Sequence, residues 1–205
     1  MKFIPISLAL ALASGVLPGQ ETKKESPRPI SFMFGMGLTV GGDTLASMTY
    51  VDGSESTIKA GGIFYFKAGV DWQMLPRLSV QGTYGIHGDS ANAKNGSMEF
   101  KRNFLEGIIH WNTTPKQRIG LGIRKTSGAE LSSSGDAASV GDFEFDSSMG
   151  TLIEYEWFAK NGPRGFGISI RYVSEKYTPT KWNGIAVQGS DIDGSHFGLG
   201  ISLYL

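Results

Sequence analysis

The chain has 205 residues, with 19 basic and 19 acidic side chains and a formal net charge of zero. This length fits a single domain, and the balanced charge excludes the strongly basic surface that would favour nucleic acid as a partner. The composition includes 29 Gly, 12 Phe and no Cys, which excludes disulfides and lipidation at cysteine and favours β-structure.

The first residues are typical of an export signal. Lys2 gives a positive start, residues 3–13 are an apolar run, and small residues suited to cleavage follow. The run is shorter than the about 20 residues that a membrane-spanning helix needs. We therefore predict a signal peptide over residues 1–19, cleaved between residues 13 and 20, rather than a membrane anchor. Residues 20–29 are polar and contain two prolines, which indicates a flexible lead-in to a domain over residues 30–205.

From residue 30 onward, apolar residues recur at every second position, which is the period of a β-strand. In the first segment, Ile, Phe, Met, Leu and Val alternate with Ser, Met, Gly and Thr. Including this one, the chain has eight such segments, at residues 30–40, 62–72, 78–87, 100–111, 118–125, 145–157, 166–173 and 197–205.

The connections between these segments are alternately long and short. This predicts an all-β fold, an eight-stranded antiparallel up-and-down transmembrane β-barrel, with short turns and both termini facing the periplasm and four long loops facing outside. The first long loop contains Asp52-Gly53 between residues 44–51 and 54–58, which predicts a hairpin extension. Residues 126–142, rich in Ser, Gly and Ala, and residues 176–195 are predicted as the third and fourth outer loops.

A soluble lipocalin-like barrel would show the same period with the apolar set turned inward. Two features favour a membrane barrel. The less apolar set is rich in Gly, Ser and Thr with few charges, which suits a crowded lumen. Trp72, Trp111 and Trp157 lie on the apolar face, each beside a short turn, and predict an aromatic girdle at the periplasmic interface. The alternative is three unrelated core tryptophans.

The last segment also supports a membrane barrel. Its alternating apolar residues are Phe197, Leu199, Ile201, Leu203 and Leu205. The segment resembles the C-terminal strand by which the outer-membrane assembly machinery recognises its clients, although that strand usually ends in Phe or Trp and this one ends in Leu.

Over its mature length the chain resembles small outer-membrane barrels of the OmpA-transmembrane, OmpX and OmpW type. The run Gly41-Gly42-Asp43-Thr44-Leu45-Ala46, with Tyr50, Asp52-Gly53-Ser54 and Lys59-Ala60-Gly61-Gly62, is similar to a segment of barrel proteins of unknown function. The resemblance implies a cell outer-membrane location, with outer-membrane lipid, lipopolysaccharide and the barrel assembly machinery as partners, and a monomer. The OmpW type further implies a narrow transporter for small apolar molecules.

If the apolar set faces lipid, the opposite set brings ionisable groups into the lumen. They are Lys67, Asp71, Glu106, Arg118, Arg124, Glu154, Glu156 and Arg171, together with Glu175. Because buried charges are costly unless paired, we interpret this set as a plug of salt bridges that leaves no open pore. The alternative is a selectivity or proton-linked network around Glu106, Glu154 and Arg171 in a narrow channel.

A lipid-modifying hydrolase is a third hypothesis. His87, Asp89 and Ser90 combine a base, an acid and a nucleophile near the end of the third segment. Their surroundings have the composition of an ordinary turn, and the motifs of lipid A deacylase and palmitoyltransferase barrels are absent, so we predict no catalytic residues and no cofactor. His110 and His196 belong at different heights in the barrel, so no metal site is predicted.

The fourth outer loop carries Asp191 and Asp193, which could bind a cation but are interpreted as solvated charge. Long loops on a rigid scaffold are where binding usually resides. We therefore predict a non-enzymatic surface scaffold with a plugged lumen, whose outer loops contact a surface ligand.

Overall fold

The computed structural model describes residues 29–49, 55–92 and 96–205. The predicted signal peptide, residues 20–28 of the lead-in and the Asp52-Gly53 turn lie outside the described residues. No helix that is long and apolar enough to span a membrane occurs in the described part of the chain.

Fifteen strands and one short helix make up the described elements. The strands are β1 Ile30–Gly41, β2 Thr44–Thr49, β3 Glu55–Lys59, β4 Phe64–Leu75, β5 Leu78–Asn92, β6 Gly96–Thr114, β7 Gln117–Gly135, β8 Phe143–Phe145, β9 Ser148–Phe158, β10 Gly165–Ser174, β11 Lys176–Tyr177, β12 Pro179–Trp182, β13 Ile185–Ala186, β14 Ile192–Asp193 and β15 His196–Tyr204, and a 3-10 helix covers Asp136–Val140.

Eight of these strands form a closed antiparallel barrel: β1, β4, β5, β6, β7, β9, β10 and β15 pair in that order, and β15 closes on β1. Followed once round the barrel through paired residues, Ile30 connects to Val40 of the same strand, a shift of ten residues. A stagger of this kind tilts the strands, and with eight strands it leaves an interior that side chains fill. The predicted strand number and up-and-down order are confirmed.

Three short connections, at residues 76–77, 115–116 and 159–164, lie at one end of the barrel, which we call the turn end. The opposite end is the loop end. Between them the outward side chains are large and apolar, as Phe32, Leu121 and Leu199 show with exposed fractions of 62%, 66% and 58%. A continuous exposed apolar surface of this kind is the lipid-facing band of a membrane-spanning barrel.

The two faces of β6 exchange polarity along its length. Near the turn end Ile109 is 58% exposed and Glu106 is buried, whereas near the loop end Lys101 faces outward and Phe100 is buried. Lipid favours apolar side chains on the outside, and water favours them on the inside. The exchange between residues 105 and 101 therefore marks the boundary of the membrane at the loop end.

A β-bulge on β7 lies at this boundary. Asn103 pairs with Ser127 and Lys101 with Glu130, so β7 has one more residue than β6 between the two pairs. Gly128 adopts a φ of 58°, a left-handed conformation that favours glycine. The extra residue shifts the alternation, so that Ala129 and Leu131 point into the interior above the membrane.

The prediction that residues 126–142 form a loop is wrong. Strand β7 continues to Gly135 and pairs with β6 as far as Gly96, and β5 likewise extends to Asn92. Ser127, Ser132 and Ser134 are exposed on the outer side, while Ala129 and Leu131 are buried. The predicted sixth segment is also divided, because β8 ends at Phe145 and β9 begins at Ser148.

A small apolar core closes the loop end. The predicted hairpin extension is present as the antiparallel pair β2–β3, and its Ile58 is fully buried. The core consists of Ala46, Ile58, Ala60, Ala91, Met98, Phe100, Ala129, Leu131, Ala137, Phe145 and Tyr177. We call this assembly the cap; β8, β12 and β13 continue the sheet beside it.

Candidate functional site: the barrel interior

The eight ionisable residues predicted for the lumen all lie inside the barrel. They come from β4, β6, β7, β9 and β10, and none is more than 5% exposed. These residues and their ion-pair and hydrogen-bond partners form three groups along the barrel axis.

Arg118 organises the group at the turn end. Its guanidinium donates to Asp71 Oδ2 at 2.5 Å and to Glu156 Oε2 at 2.9 Å. The Tyr204 hydroxyl accepts from Arg118 Nη2 at 2.8 Å and donates to Glu156 at 2.8 Å, and Ser79 accepts a further bond from Arg118 at 3.2 Å. The arginine thus joins its own strand, β7, to four others across the lumen: β4, β5, β9 and β15.

Arg171 organises the central group. It donates to Glu106 Oε1 at 2.7 Å, and its Nε lies 3.7 Å from Glu154 Oε2. Lys67 approaches the same Glu154 oxygen at 3.4 Å. The guanidinium carbon of Arg171 also lies 5.4 Å from the centre of the Tyr65 ring, a distance at which a cation is attracted to an aromatic face.

The third group, below the cap, contains Arg124 and Glu175, which were predicted for the lumen, and Arg102, which was not. Arg102 is fully buried, donates to the Gly61 carbonyl at 3.0 Å and lies 3.8 Å from Glu175. Arg124 lies 3.6 Å from Glu175 and 3.5 Å from Glu106. Arg102 is four positions from Glu106 on β6, so the two side chains point to the same side of the strand. This spacing alone could have placed Arg102 in the lumen.

His87 is held as a neutral imidazole by its neighbours. Its Nδ1 lies 2.9 Å from Arg102 Nη2 and 3.1 Å from Arg124 Nη2. Arginine only donates, so Nδ1 must accept, and Nε2 carries the proton that reaches Thr39 Oγ1 at 2.8 Å. The His196 ring lies 4.8 Å away, centre to centre. The histidine therefore serves the packing of two arginines rather than acting as a free base.

Tyr177, which belongs to the cap core, contacts this group from above. The guanidinium carbon of Arg102 is 5.4 Å from the centre of its ring. Burial raises the pKa of the Tyr177 phenol, so the ring stays neutral and adds no charge to the group beneath it.

Charges of both signs fill the interior in nearly equal numbers. The buried bases in the described residues are Lys67, Arg102, Arg118, Arg124 and Arg171, and the buried acids are Asp71, Asp89, Glu106, Glu154, Glu156 and Glu175. Selectivity rings present one sign of charge to a water-filled path. Here each of the five bases is ion-paired with one or more of five acids, and the sixth acid, Asp89, accepts from the Lys59 amide. This is instead the composition of a plug.

The predicted girdle residues share one face and one end of the barrel. Trp72, Trp111 and Trp157 point outward with exposed fractions of 49%, 51% and 39%. Each lies near a short connection at the turn end.

The predicted C-terminal assembly strand is β15, whose Phe197, Leu199 and Ile201 are exposed on the outer face. Leu203 is partly covered. Leu205 lies one residue beyond the strand, and its amide donates to the Phe32 carbonyl at 2.9 Å.

The hydrolase residues do not form a loop, contrary to the sequence argument. His87, Asp89 and Ser90 all belong to β5. His87 and Asp89 are buried, whereas Ser90 is exposed on the opposite face, because neighbouring residues of a strand point to opposite sides. The base and the nucleophile are therefore separated by the barrel wall.

One set of potential metal ligands occurs in the described residues: His110, Glu154 and Glu156 have donor atoms within 4.8 Å of one another. These carboxylates already face cations. Lys67 lies 3.4 Å from Glu154, and Arg118 lies 2.8 Å from Glu156. The set is thus occupied by the ion-pair network.

The acidic residues of the fourth outer loop hold loops together. Asp191 accepts from the Thr178 hydroxyl at 2.8 Å. Asp193 Oδ1 accepts from the Ser195 amide at 2.9 Å, and the Asp193 amide donates to Asp43 at 2.9 Å. The bond between Asp193 and Asp43 joins the first and fourth outer loops.

No family model matches this chain, and no curated protein matches it. Among solved structures, the Neisserial surface protein A (NspA) is similar over 87% of this chain and 99% of its own, with 10% identity and a TM-score of 0.48. Ail, the attachment invasion locus protein of Yersinia pestis, covers 86% of this chain and 97% of its own, with 11% identity and a TM-score of 0.44. The outer membrane protein AlkL is similar over 93% of this chain and 97% of its own, with 10% identity and a TM-score of 0.46. Similarity at this level assigns no family and no activity, and the architecture rests on the strand pairing described above.

Proposed function

We propose that this eight-stranded transmembrane barrel is an outer-membrane protein that serves as a non-enzymatic surface scaffold. In this proposal the turn end faces the periplasm, the lumen is closed, and the cap and its neighbouring strands present a surface to ligands outside the cell. The alternating apolar and polar faces and the short turns at one end support this placement.

The observation that carries the proposal is the pairing of Arg171 with Glu106 and Glu154. These three side chains come from β10, β6 and β9 and meet inside the lumen, with the closest contact at 2.7 Å. A solute would have to separate buried charges that stabilise one another, and breaking such a pair costs about 3–5 kcal/mol.

The cap supports a role at the surface. Trp182 lies on β12, which pairs with β8 beside the cap. Its ring stacks on Phe143 with ring centres 6.3 Å apart, and its indole N–H donates to the Val140 carbonyl at 3.2 Å. It remains 44% exposed, and its cross-strand partner Ile185 is 67% exposed. A rigid, half-exposed aromatic side chain is the residue type on which protein contacts usually centre.

The two alternative functions receive less support. An OmpW-like route for small apolar molecules through the lumen would need an apolar path, whereas charged groups fill it. A lipid hydrolase would need Ser90 and His87 on the same side of the wall, whereas they lie on opposite sides.

Planar-bilayer recording tests the proposal. Purified protein should give no resolved conductance steps at voltages where an open porin, used as the positive control, conducts. Reproducible single-channel currents that disappear in Glu106→Ala or Arg171→Ala, but persist in a Ser132→Ala control above the membrane, would defeat the closed lumen. Fractionation and heat-modifiable gel migration test the location separately, and a soluble periplasmic product would refute it.

A further inference from the structure

The exposed charges of the described residues divide sharply between the two ends of the barrel. The loop end carries ten exposed acids against five lysines: Asp43, Glu55, Glu99, Glu130, Asp136, Asp142, Glu144, Asp146, Asp191 and Asp193 against Lys59, Lys101, Lys125, Lys176 and Lys181. The three short connections at the turn end contain Arg77, Lys116, Lys160 and Arg164 and no acid. We call these four residues the basic rim.

The rim is spread round the circumference, and its backbone is held in place. Arg77 lies between β4 and β5, Lys116 between β6 and β7, and the other two between β9 and β10. The carbonyl of Arg77 accepts from Asn112 at 2.8 Å, and that of Lys116 accepts from Phe158 at 2.8 Å. These two connections are thereby tied to the next strand pair, so the backbone that carries their cations is held in place.

The rim lies where lipid headgroups meet the barrel. Trp72, Trp111 and Trp157 precede a rim base by three to five residues and point outward. Tryptophans of membrane proteins mark the boundary between hydrocarbon and headgroups, so bases just beyond them reach headgroup phosphates. The side chains of Arg77, Lys116 and Lys160 are not in an ion pair with any described residue, which leaves their charges for a partner.

We propose that the basic rim binds anionic phospholipid headgroups of the leaflet at the turn end, which selects phosphatidylglycerol-like lipids over zwitterionic ones. This inference rests on the proposed membrane placement and goes beyond it, because it assigns a ligand class to residues outside the lumen and the cap. Lipids with a net negative headgroup are attracted to juxtamembrane bases, with about a fivefold preference for each base at low ionic strength.

The three ring tryptophans can report this binding directly. The chain contains four Trp, so a Trp182→Phe background leaves only those beside the rim. In nanodiscs of phosphatidylcholine and phosphatidylglycerol, either lipid can carry bromine on its acyl chains to quench fluorescence. The ratio of the two quenching curves gives the preference of the lipid sites next to the ring.

We expect about a fivefold or greater preference for phosphatidylglycerol in 50 mM salt, falling towards one in 1 M salt, where the screening length is about 3 Å. The triple variant Arg77→Gln, Lys116→Gln, Lys160→Gln should lose most of the preference. The charge-matched control Lys59→Gln, Lys101→Gln, Lys125→Gln, at the loop end, should keep it.

A preference close to one in the parent protein, or an unchanged preference in the rim variant, would overturn the inference. Binding of the parent to peptidoglycan sacculi without lipid preference would also overturn it and assign the rim another partner. Heat-modifiable migration checks that each variant is folded. Because the nanodisc measurement does not depend on cellular location, its failure is distinct from a failure of fractionation.

Discussion

The hydroxyl of Tyr204 accepts a hydrogen bond at 2.8 Å from Arg118, which reaches it across the lumen from β7. The same hydroxyl donates to Glu156 on β9 at 2.8 Å. The last strand is therefore held in two ways: its backbone pairs with β1 and β10, and its side chain joins the buried charges. The strand that closes the barrel therefore also supplies a hydrogen-bonding group to the polar interior.

Replacing Arg118 by Leu should lower the free energy of unfolding by about 3–5 kcal/mol, because Asp71 and Glu156 would remain buried without their cation. Tyr204→Phe should cost less, about 1–3 kcal/mol, because it removes hydrogen bonds but no charge. Urea titration of protein folded in lipid vesicles, followed by tryptophan fluorescence, measures both values. Ser132→Ala is the control, and an Arg118→Leu effect no larger than that of the control would contradict the assignment.

Glycines beside Tyr65 provide the space that its ring occupies. A β-carbon added at Gly37 would lie 2.5 Å from the Leu199 carbonyl oxygen and 2.7 Å from the Tyr65 ring, whereas one added at Gly107, on β6, would meet nothing within 4 Å. Gly37→Ala should therefore reduce the free energy of unfolding by about 1–3 kcal/mol through overpacking. The same change at Gly107 should be neutral. Equal effects in the two variants would contradict the close packing of Gly37 against Tyr65 and the backbone of β15.

Much of the barrel could be predicted because lipid and a crowded lumen impose opposite requirements on alternate residues. This alternation located eight strands and placed Lys67 and Arg171 inside. It failed above the membrane, where the polarity of the faces is exchanged and the bulge at Gly128 shifts the period. A serine-rich strand facing water has the same composition as a loop, so residues 126–135 were predicted incorrectly.

Contacts across the lumen could not be predicted for another reason. His87 and His196 lie on β5 and β15, which are not neighbours in the barrel, yet their ring centres are 4.8 Å apart. Their proximity depends on the ten-residue stagger of the closed sheet, which is a property of all eight registers together. No local pattern near either histidine contains that information.

The contact between Asp193 and Ser195 should be sensitive to acid. Hydrogen bonds from the Ser195 hydroxyl and amide lower the pKa of Asp193, so the folded state favours the carboxylate. The stabilisation is present at neutral pH and is lost as the pH falls through the lowered pKa. Carboxyl NMR titration should give a midpoint below the ordinary value of about 3.9 for Asp.

Ser195→Ala removes the hydroxyl and retains the amide, so the midpoint of Asp193 should move part of the way back. Asp142 accepts a hydrogen bond from the Ser133 amide at 2.8 Å in another loop, and its carboxyl resonance at neutral pH should be the same in the two proteins. A midpoint of Asp193 at or above the ordinary value would refute the role given to Ser195.

Two arginine substitutions on the outer face of β7 test most directly whether this barrel spans a membrane whose boundary at the loop end lies between Leu121 and Ser132. Leu121 is 66% exposed in the apolar band, and Ser132 faces outward on the same strand beyond the boundary. In lipid vesicles, Leu121→Arg should lower the free energy of unfolding by about 2–4 kcal/mol, as expected for a charge near the bilayer midplane, and Ser132→Arg should change it by less than about 0.5 kcal/mol. Equal, small effects at both positions would contradict the membrane-spanning barrel.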